Sequence, residues 1–162
     1  MIIDNLYLGT GLHGTTYPML DEMKIKRILR VTEYTYYENG TPKRFAVNHL
    51  KIPDQPSVNI LQHFDTLFTF IEEGLTANEA VLVHCEQGVS RSAAFVIGFL
   101  MYFKKLSLRE AILLTRKQRP IINPNNGFMR QLYQYETQLF NTNSVDSSLF
   151  VDDWGSGIMF IN

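Results

Sequence analysis

The stretch that most restricts how this chain can fold is "AVLVHCEQGVSRSAAFVIGFLMYF", from Ala80 to Phe103. It opens with the valine-rich run Ala80 to His84 and passes through a short polar segment holding Gly88. It then continues as the longest apolar run of the sequence, Ala93 to Phe103. A bilayer crossing takes about 20 apolar residues, so this run is too short to span one and is expected to be a helix buried inside the protein. Ala80 to His84 has the length and β-branched content of a buried strand. A buried strand joined by a tight turn to a buried helix needs further elements to cover both.

Those elements show as alternating patterns. Short β-branched or apolar runs at Ile2 to Leu8, Arg27 to Thr32 and Phe45 to Ile52 are the other candidate strands. Ile60, Leu61, Phe64, Leu67, Phe68 and Ile71 recur with a helical period, which predicts a helix packed on the sheet by one apolar face. In "SLRE", Ser107 and Glu110 have the spacing of a capping box for a helix that runs to about Arg119 and is stopped by Pro120. A last helix follows "NPNNGF", with Phe128, Leu132, Tyr135 and Leu139 as its inner stripe, while Thr16 to Met23 is only weakly helical. Strands alternating with helices favour an α/β domain over an all-α or all-β one.

At 162 residues the chain has room for one domain with one core. Its formal charge of -1 argues against a nucleic acid or an anionic membrane as partner, so any anion site must be local. One cysteine cannot form an internal disulfide, and "MIIDNLYLG" has neither the basic start nor the apolar run of a secretory signal. An intracellular protein is expected, in the cytoplasm and with the nucleus open to it. After residue 140 the composition shifts to "NTNSVDSSLFVDDWGSGIMFIN", which divides the chain into a domain of residues 1–140 and a tail of residues 141–162. The tail is polar and acidic yet carries Trp154 and the closing "IMFI"; it either stays flexible or docks on its own domain or on a neighbour.

Chemistry concentrates between the buried strand and the buried helix. His84 stands directly before Cys85, and Arg91 follows six residues later. At such a turn backbone N–H groups converge and the helix dipole is positive, which favours negative charge on the sulfur and cradles a tetrahedral oxyanion. The planar fork of Arg91 can hold two oxygens of one phosphate, and Gly88 lets the backbone turn without a Cβ in the way. The pattern fits a loop that wraps a phosphoryl group while the sulfur attacks phosphorus. An inert buried cysteine is the plain alternative. A redox sensor or a cysteine-protease nucleophile also stays open, although neither needs the arginine.

Two further groups belong to this reading. His13, His49 and His63 are scattered without ligand spacing, so His84 is expected to hydrogen-bond near the loop and tune the thiolate rather than bind metal. No metal and no cofactor are called for. Ester cleavage also needs a proton for the departing oxygen and activation of water, which one carboxylic acid can supply in turn. Asp54 in "KIPDQPSVNI", beside Pro53 and Pro56, reads on its own as an ordinary turn residue.

"HCEQGVSRS" resembles the signature loop of the cysteine-dependent protein phosphatases, His-Cys, five residues, Arg, then Ser or Thr, and "GVSRSA" resembles the dual-specificity branch of the protein tyrosine phosphatase superfamily. The likeness extends over residues 1–140, through "IIDNLYLG", "IPDQPSVNIL" and "INPNNGFMRQLYQYE". It implies a protein tyrosine phosphatase-like α/β fold, a central mixed, twisted sheet of about five strands flanked by helices. It implies Cys85 as nucleophile, Arg91 as phosphate clamp, Asp54 as general acid and Ser92 as the hydroxyl that stabilises the thiolate when the intermediate breaks down. Glu86, Gln87, Gly88, Val89 and Ser90 would complete the phosphate-binding loop, with Glu86 and Gln87 at its rim. Asn125 matches the asparagine that braces the loop, although a helix N-cap explains it equally well. The implied activity is hydrolysis of phosphotyrosine and phosphoserine or phosphothreonine esters of proteins through a cysteinyl-phosphate.

Families that act on inositol lipids tend to carry lysines within this loop. Here there are none, and the Glu86 carboxylate should disfavour polyanions by repulsion. A phosphatase of phosphoinositides, RNA 5′-phosphates or glucans on the same scaffold is one alternative; a phosphoprotein-binding module with little turnover is another, against which the intact Cys85, Asp54 and Arg91 stand. The short chain implies a shallow pocket. A reactive thiol oxidises to sulfenic acid, and with no second cysteine its recovery is expected through a backbone sulfenamide or an external thiol. Two features depart from the family: Arg30 in "ILRVTEY", where a small polar residue is expected, and the loop Tyr34 to Lys43, whose Tyr36 and Tyr37 are expected at the surface.

Overall fold

The computed structural model describes residues 1–34, 40–151 and 157–161; Tyr36, Tyr37 and Trp154 lie outside the described residues. Four strands form one sheet: β1 (Leu6–Gly9), β2 (Ile25–Val31), β3 (Ala46–Leu50) and β4 (Ala80–His84). Their order is β1-β4-β2-β3 and every pairing is parallel. The α/β class is as expected, whereas the sheet among the described residues has four parallel strands in place of about five in mixed directions. The difference has a local cause at the N-terminus. Asn5 takes a left-handed φ of 61° and the Ile2 N–H returns to the Leu6 carbonyl at 2.7 Å. Residues 2–5 are thereby folded into a tight turn, with one antiparallel bridge between Ile3 and Leu6, and only Leu6 onward is free to pair with β4.

Parallel strands are buried on both faces, so both faces must be covered. Successive strand residues alternate sides. Leu29, Val31, Val81 and Val83 point into the main core, which is built with α2 (Phe64–Thr76), α3 (Arg91–Lys104), α4 (Leu108–Gln118) and α5 (Asn126–Phe140). Ile28, Ala80 and Leu82 face the other way, onto Leu20 of α1 (Tyr17–Glu22) and Phe45. Of the apolar run Ala93 to Phe103, Ala93 to Met101 is buried throughout in α3 and Tyr102 and Phe103 are half-buried, and the Ser107–Glu110 capping box opens α4 as predicted. Among the described residues no helix is long and apolar enough to cross a membrane.

Beyond α5 the chain returns to the main core. Phe150, Ile158 and Ile161 are buried there, Arg130 donates to the Phe150 carbonyl at 2.6 Å, and Arg116 donates to the carbonyls of Ile158 and Ile161. The buried carboxylate of Glu136 ties the same region together, accepting the Leu108 N–H at the start of α4 at 2.7 Å and the Ser144 N–H at 2.9 Å. Arg30, the residue that departs from the family pattern, is also buried and donates to Thr41 Oγ1 at 2.8 Å.

Because all four strands run the same way, their carboxyl ends share one edge of the sheet. In open parallel sheets ligands bind beyond that edge. The segments that leave β1, β2, β3 and β4 there carry Thr10, Thr32, Asp54 and Cys85 respectively.

Candidate active site

β4 lies between β1 and β2, so Cys85 at its end emerges from the middle of the sheet and is itself buried. The six residues from Cys85 to Ser90 then lead directly into α3 at Arg91. Along this loop four consecutive carbonyls are each held by a donor from outside it. Gly11 N–H donates to Glu86 O at 3.0 Å, Arg119 donates to Gln87 O at 2.9 Å and to Gly88 O at 2.8 Å, and Asn123 N–H donates to Val89 O at 2.8 Å. In a planar trans peptide the N–H points opposite to the C=O, so the amide hydrogens of residues 87–90 turn toward the enclosed side. Gly88 N–H reaches Cys85 Sγ at 3.2 Å and Ser92 Oγ donates to the same sulfur at 3.1 Å. Gly88 has a φ of 66°, and a Cβ there would collide with the Gly9 carbonyl. The turn accepts glycine for both reasons.

In front of the sulfur is a cavity of about 520 Å³ lined by Asp54, Cys85, Glu86 and Arg91 among others. Gln87, Val89 and Ser90 also line it, whereas Gly88 and Ser92 act on the sulfur from outside that lining. Arg91 is anchored by a bond from Nη1 to the Ile52 carbonyl at 3.1 Å, and its Nη2 forms an ion pair with Glu86. The other oxygen of Glu86 accepts the hydroxyl of Thr32 at the end of β2. Glu86 therefore does more than occupy the rim: it links the guanidinium to the sheet edge, and its charge is already matched by Arg91.

Asp54 reaches the same space from the segment after β3. Its Oδ1 accepts Ser90 Oγ at 2.7 Å and Asn125 Nδ2 at 2.8 Å. Asn125 also accepts the Phe128 N–H at 2.9 Å and so caps α5, which makes it both a brace and an N-cap. The segment is pinned further along by Gln131, which accepts Ile60 N–H and donates to Val58 O. Gly127 lies so close to Pro56 that any Cβ there would fall on its backbone.

His84 is fully buried, and burial pushes its imidazole down to about 4, so the ring is neutral at physiological pH. Nδ1 faces the Cys85 carbonyl at 3.2 Å, and since a carbonyl only accepts, Nδ1 carries the proton. Its link to the nucleophile is thus through the Cys85 main chain. His13, beside the loop after β1, is also lowered, by burial and by the charge of Arg119. Among the described residues no group of three or more His, Cys, Asp or Glu side chains could hold a metal ion.

Sequence patterns did not single out Arg119, Asn123 or Thr32. Arg119 reads there as the end of a helix stopped by Pro120. That stop is what frees it: at φ -142° and ψ 87° the residue leaves the helical path and its side chain crosses to the loop.

A sulfur under converging amide hydrogens, a guanidinium and a carboxyl group lining one cavity are an arrangement with the chemistry to hold a single tetrahedral anion. The comparisons agree with that geometry. The family model described as "Dual specificity phosphatase, catalytic domain" matches residues 6–138, and the chain belongs to that family. It is 40% identical to mouse dual specificity protein phosphatase 19 over 131 residues, covering 81% of this chain and 59% of that protein. To mouse protein phosphatase Slingshot homolog 3 it is 34% identical over 135 residues, 83% of this chain and 20% of that protein. It thus spans about a fifth of the Slingshot relative. Among solved structures, the human tyrosine phosphatase-like serine/threonine/tyrosine-interacting protein superposes with a TM-score of 0.81 at 33% identity, covering 85% of this chain and 95% of that one.

Proposed function

We propose that this domain hydrolyses phosphotyrosine and phosphoserine or phosphothreonine esters of proteins through a cysteinyl-phosphate. The observation that carries the reading is the position of Cys85 Sγ, which accepts Gly88 N–H and Ser92 Oγ–H at the floor of a cavity that also holds Asp54 and Arg91. The thiolate attacks phosphorus, forming the S–P bond as the ester P–O bond breaks. Asp54 gives its proton to the departing oxygen. The loop amides and Arg91 hold the equatorial oxygens as charge shifts among them. Water, deprotonated by Asp54, then attacks the same phosphorus; inorganic phosphate leaves and the thiolate returns, stabilised by Ser92.

Charge in the cavity favours a phosphoprotein over a polyanion. Among the described lining residues the charged ones are Glu33, Asp54, Glu86 and Arg91, three carboxylates and one guanidinium. A head group with additional phosphates meets no further cation among those lining residues, and the single guanidinium is already shared with Glu86. The test is a turnover panel of tyrosine- and threonine-phosphorylated peptides, an aryl phosphate and phosphoinositides, run with the unaltered protein and Cys85→Ser. Phosphate release from the peptides and the aryl phosphate, abolished in the variant, is expected. Release from the phosphoinositides alone would move the assignment to lipid substrates. Peptide binding without release would make the domain a phosphoprotein reader, a reading suggested by the name of the human tyrosine phosphatase-like serine/threonine/tyrosine-interacting protein.

A further inference from the structure

Arg119 neither touches the sulfur nor lines the cavity, yet it makes the two bonds that decide which way the middle of the loop faces. Nη2 donates to Gln87 O at 2.9 Å and Nε to Gly88 O at 2.8 Å. The first of these carbonyls shares its peptide with the Gly88 N–H that reaches Cys85 Sγ at 3.2 Å. The second shares its peptide with the Val89 N–H. The outer carbonyls of the loop, on Glu86 and Val89, are held by main-chain donors, Gly11 and Asn123, so only the two central peptides depend on a side chain.

Those two peptides flank the residue least able to hold them. Glycine at a φ of 66° is required here because a Cβ would strike the Gly9 carbonyl. Its lack of a side chain also lowers the barrier to rotating the adjoining peptides. A flip of the 87–88 peptide would withdraw the N–H from the sulfur and present a carbonyl oxygen to an incoming anion. The guanidinium opposes that flip with two directed, charge-assisted bonds in a fixed fork, which a point charge cannot reproduce. Donation to a carbonyl also polarises the N–H of the same peptide, so each bond strengthens the amide aimed at the phosphoryl site.

We propose that Arg119 is a positioning residue of the phosphate cradle, holding the Gly88 and Val89 amides toward sulfur and phosphoryl oxygens by bridging the Gln87 and Gly88 carbonyls. The inference rests on the phosphatase reading above, and that reading is tested first by turnover in the unaltered protein and its loss in Cys85→Ser. With turnover established, Arg119→Ala and Arg119→Lys are compared for kcat and KM on an aryl phosphate, for inhibition by inorganic phosphate, and for melting temperature. Losing a direct oxyanion donor costs about 10²- to 10³-fold in rate; an indirect loss through Arg119→Ala should lower kcat by about tenfold and weaken phosphate inhibition. Arg119→Lys, able to hold one carbonyl at a time, should fall between the two. Added methylguanidine should restore part of the activity of Arg119→Ala, which a loss of folding would not allow. The proposal is overturned if kcat and phosphate inhibition in Arg119→Ala stay within twofold of the unaltered protein. It is equally overturned if the loss follows the melted fraction and methylguanidine restores nothing. Should the alanine variant not fold, Arg119→Lys decides: unchanged kcat and phosphate inhibition refute the role, and a lowered kcat at an unchanged melting temperature supports it.

Discussion

Asn125 donates from Nδ2 to Asp54 Oδ1 at 2.8 Å while its own side-chain oxygen accepts the Phe128 N–H at 2.9 Å. Ser90 completes the arrangement: its Oγ donates to the same Asp54 oxygen at 2.7 Å and accepts the Asn125 N–H at 3.1 Å. A carboxylate after β3, a hydroxyl of the loop after β4 and an amide at the start of α5 therefore form one closed ring of bonds. Tightening any member positions the other two.

Substitution at Asn125 should separate its two jobs. Asn125→Asp keeps an oxygen to cap α5 and replaces the donor to Asp54 with a second carboxylate; turnover is expected to fall with little change in melting temperature. Asn125→Ala removes the cap as well, which costs about 1 kcal/mol, and should lower both. Parallel melting curves and turnover assays check this.

Asp54→Asn removes a proton donor and leaves an amide of similar shape. General acid catalysis contributes about 10²- to 10⁴-fold, so turnover of a phosphoserine peptide should fall by that order. An aryl phosphate with a very acidic phenol needs little protonation and should lose much less. Equal losses on both substrates would argue against an acid role.

Acid should weaken the fold through His84. Its imidazole is at about 4 in the folded protein against 6.5 for the ordinary group, so the unfolded chain takes up the proton first. Above pH 6.5 His84 is neutral in both states and imposes no penalty. Stability is lost as pH falls from 6.5 toward 4, by on the order of 3 kcal/mol in full. Urea unfolding at pH 7 and pH 4.5 should show a smaller drop in His84→Gln than in the unaltered protein. Burial also lowers His13 and His63, whose contributions have the same sign and remain in both proteins.

Phe150 lies outside the span matched by the family model yet is buried in the main core, with its carbonyl bonded by Arg130. Truncating a buried phenylalanine to alanine costs about 3 to 5 kcal/mol. Phe150→Ala should therefore shift the urea midpoint down markedly, while Val151→Ala, at an exposed neighbour, should not.

The local parts of this protein were readable along the chain. Ala80 to His84 is a strand at the bounds its composition suggested, the capping box opens α4, and the contiguous loop from Cys85 to Ser90 lies where a strand gives way to a buried helix. The first strand was overextended because the left-handed Asn5 and its turn leave no mark in a pattern of apolar residues. Asn125 was legible as a cap or as a brace, and only the approach of α5 to the segment after β3 shows that it is both.

Sequence alone determined that a thiol, a turn and a guanidinium lie together, because residues adjacent in the chain are held together by covalent geometry. Tertiary structure decided how that loop is oriented. The donors that turn its carbonyls outward come from Gly11, Arg119 and Asn123, and Arg91 is tied to Thr32 through Glu86. These residues are remote from the loop in the chain and follow no period that a pattern could detect. They meet only after parallel pairing has placed the strand ends on one edge and helix packing has brought the end of α4 over it.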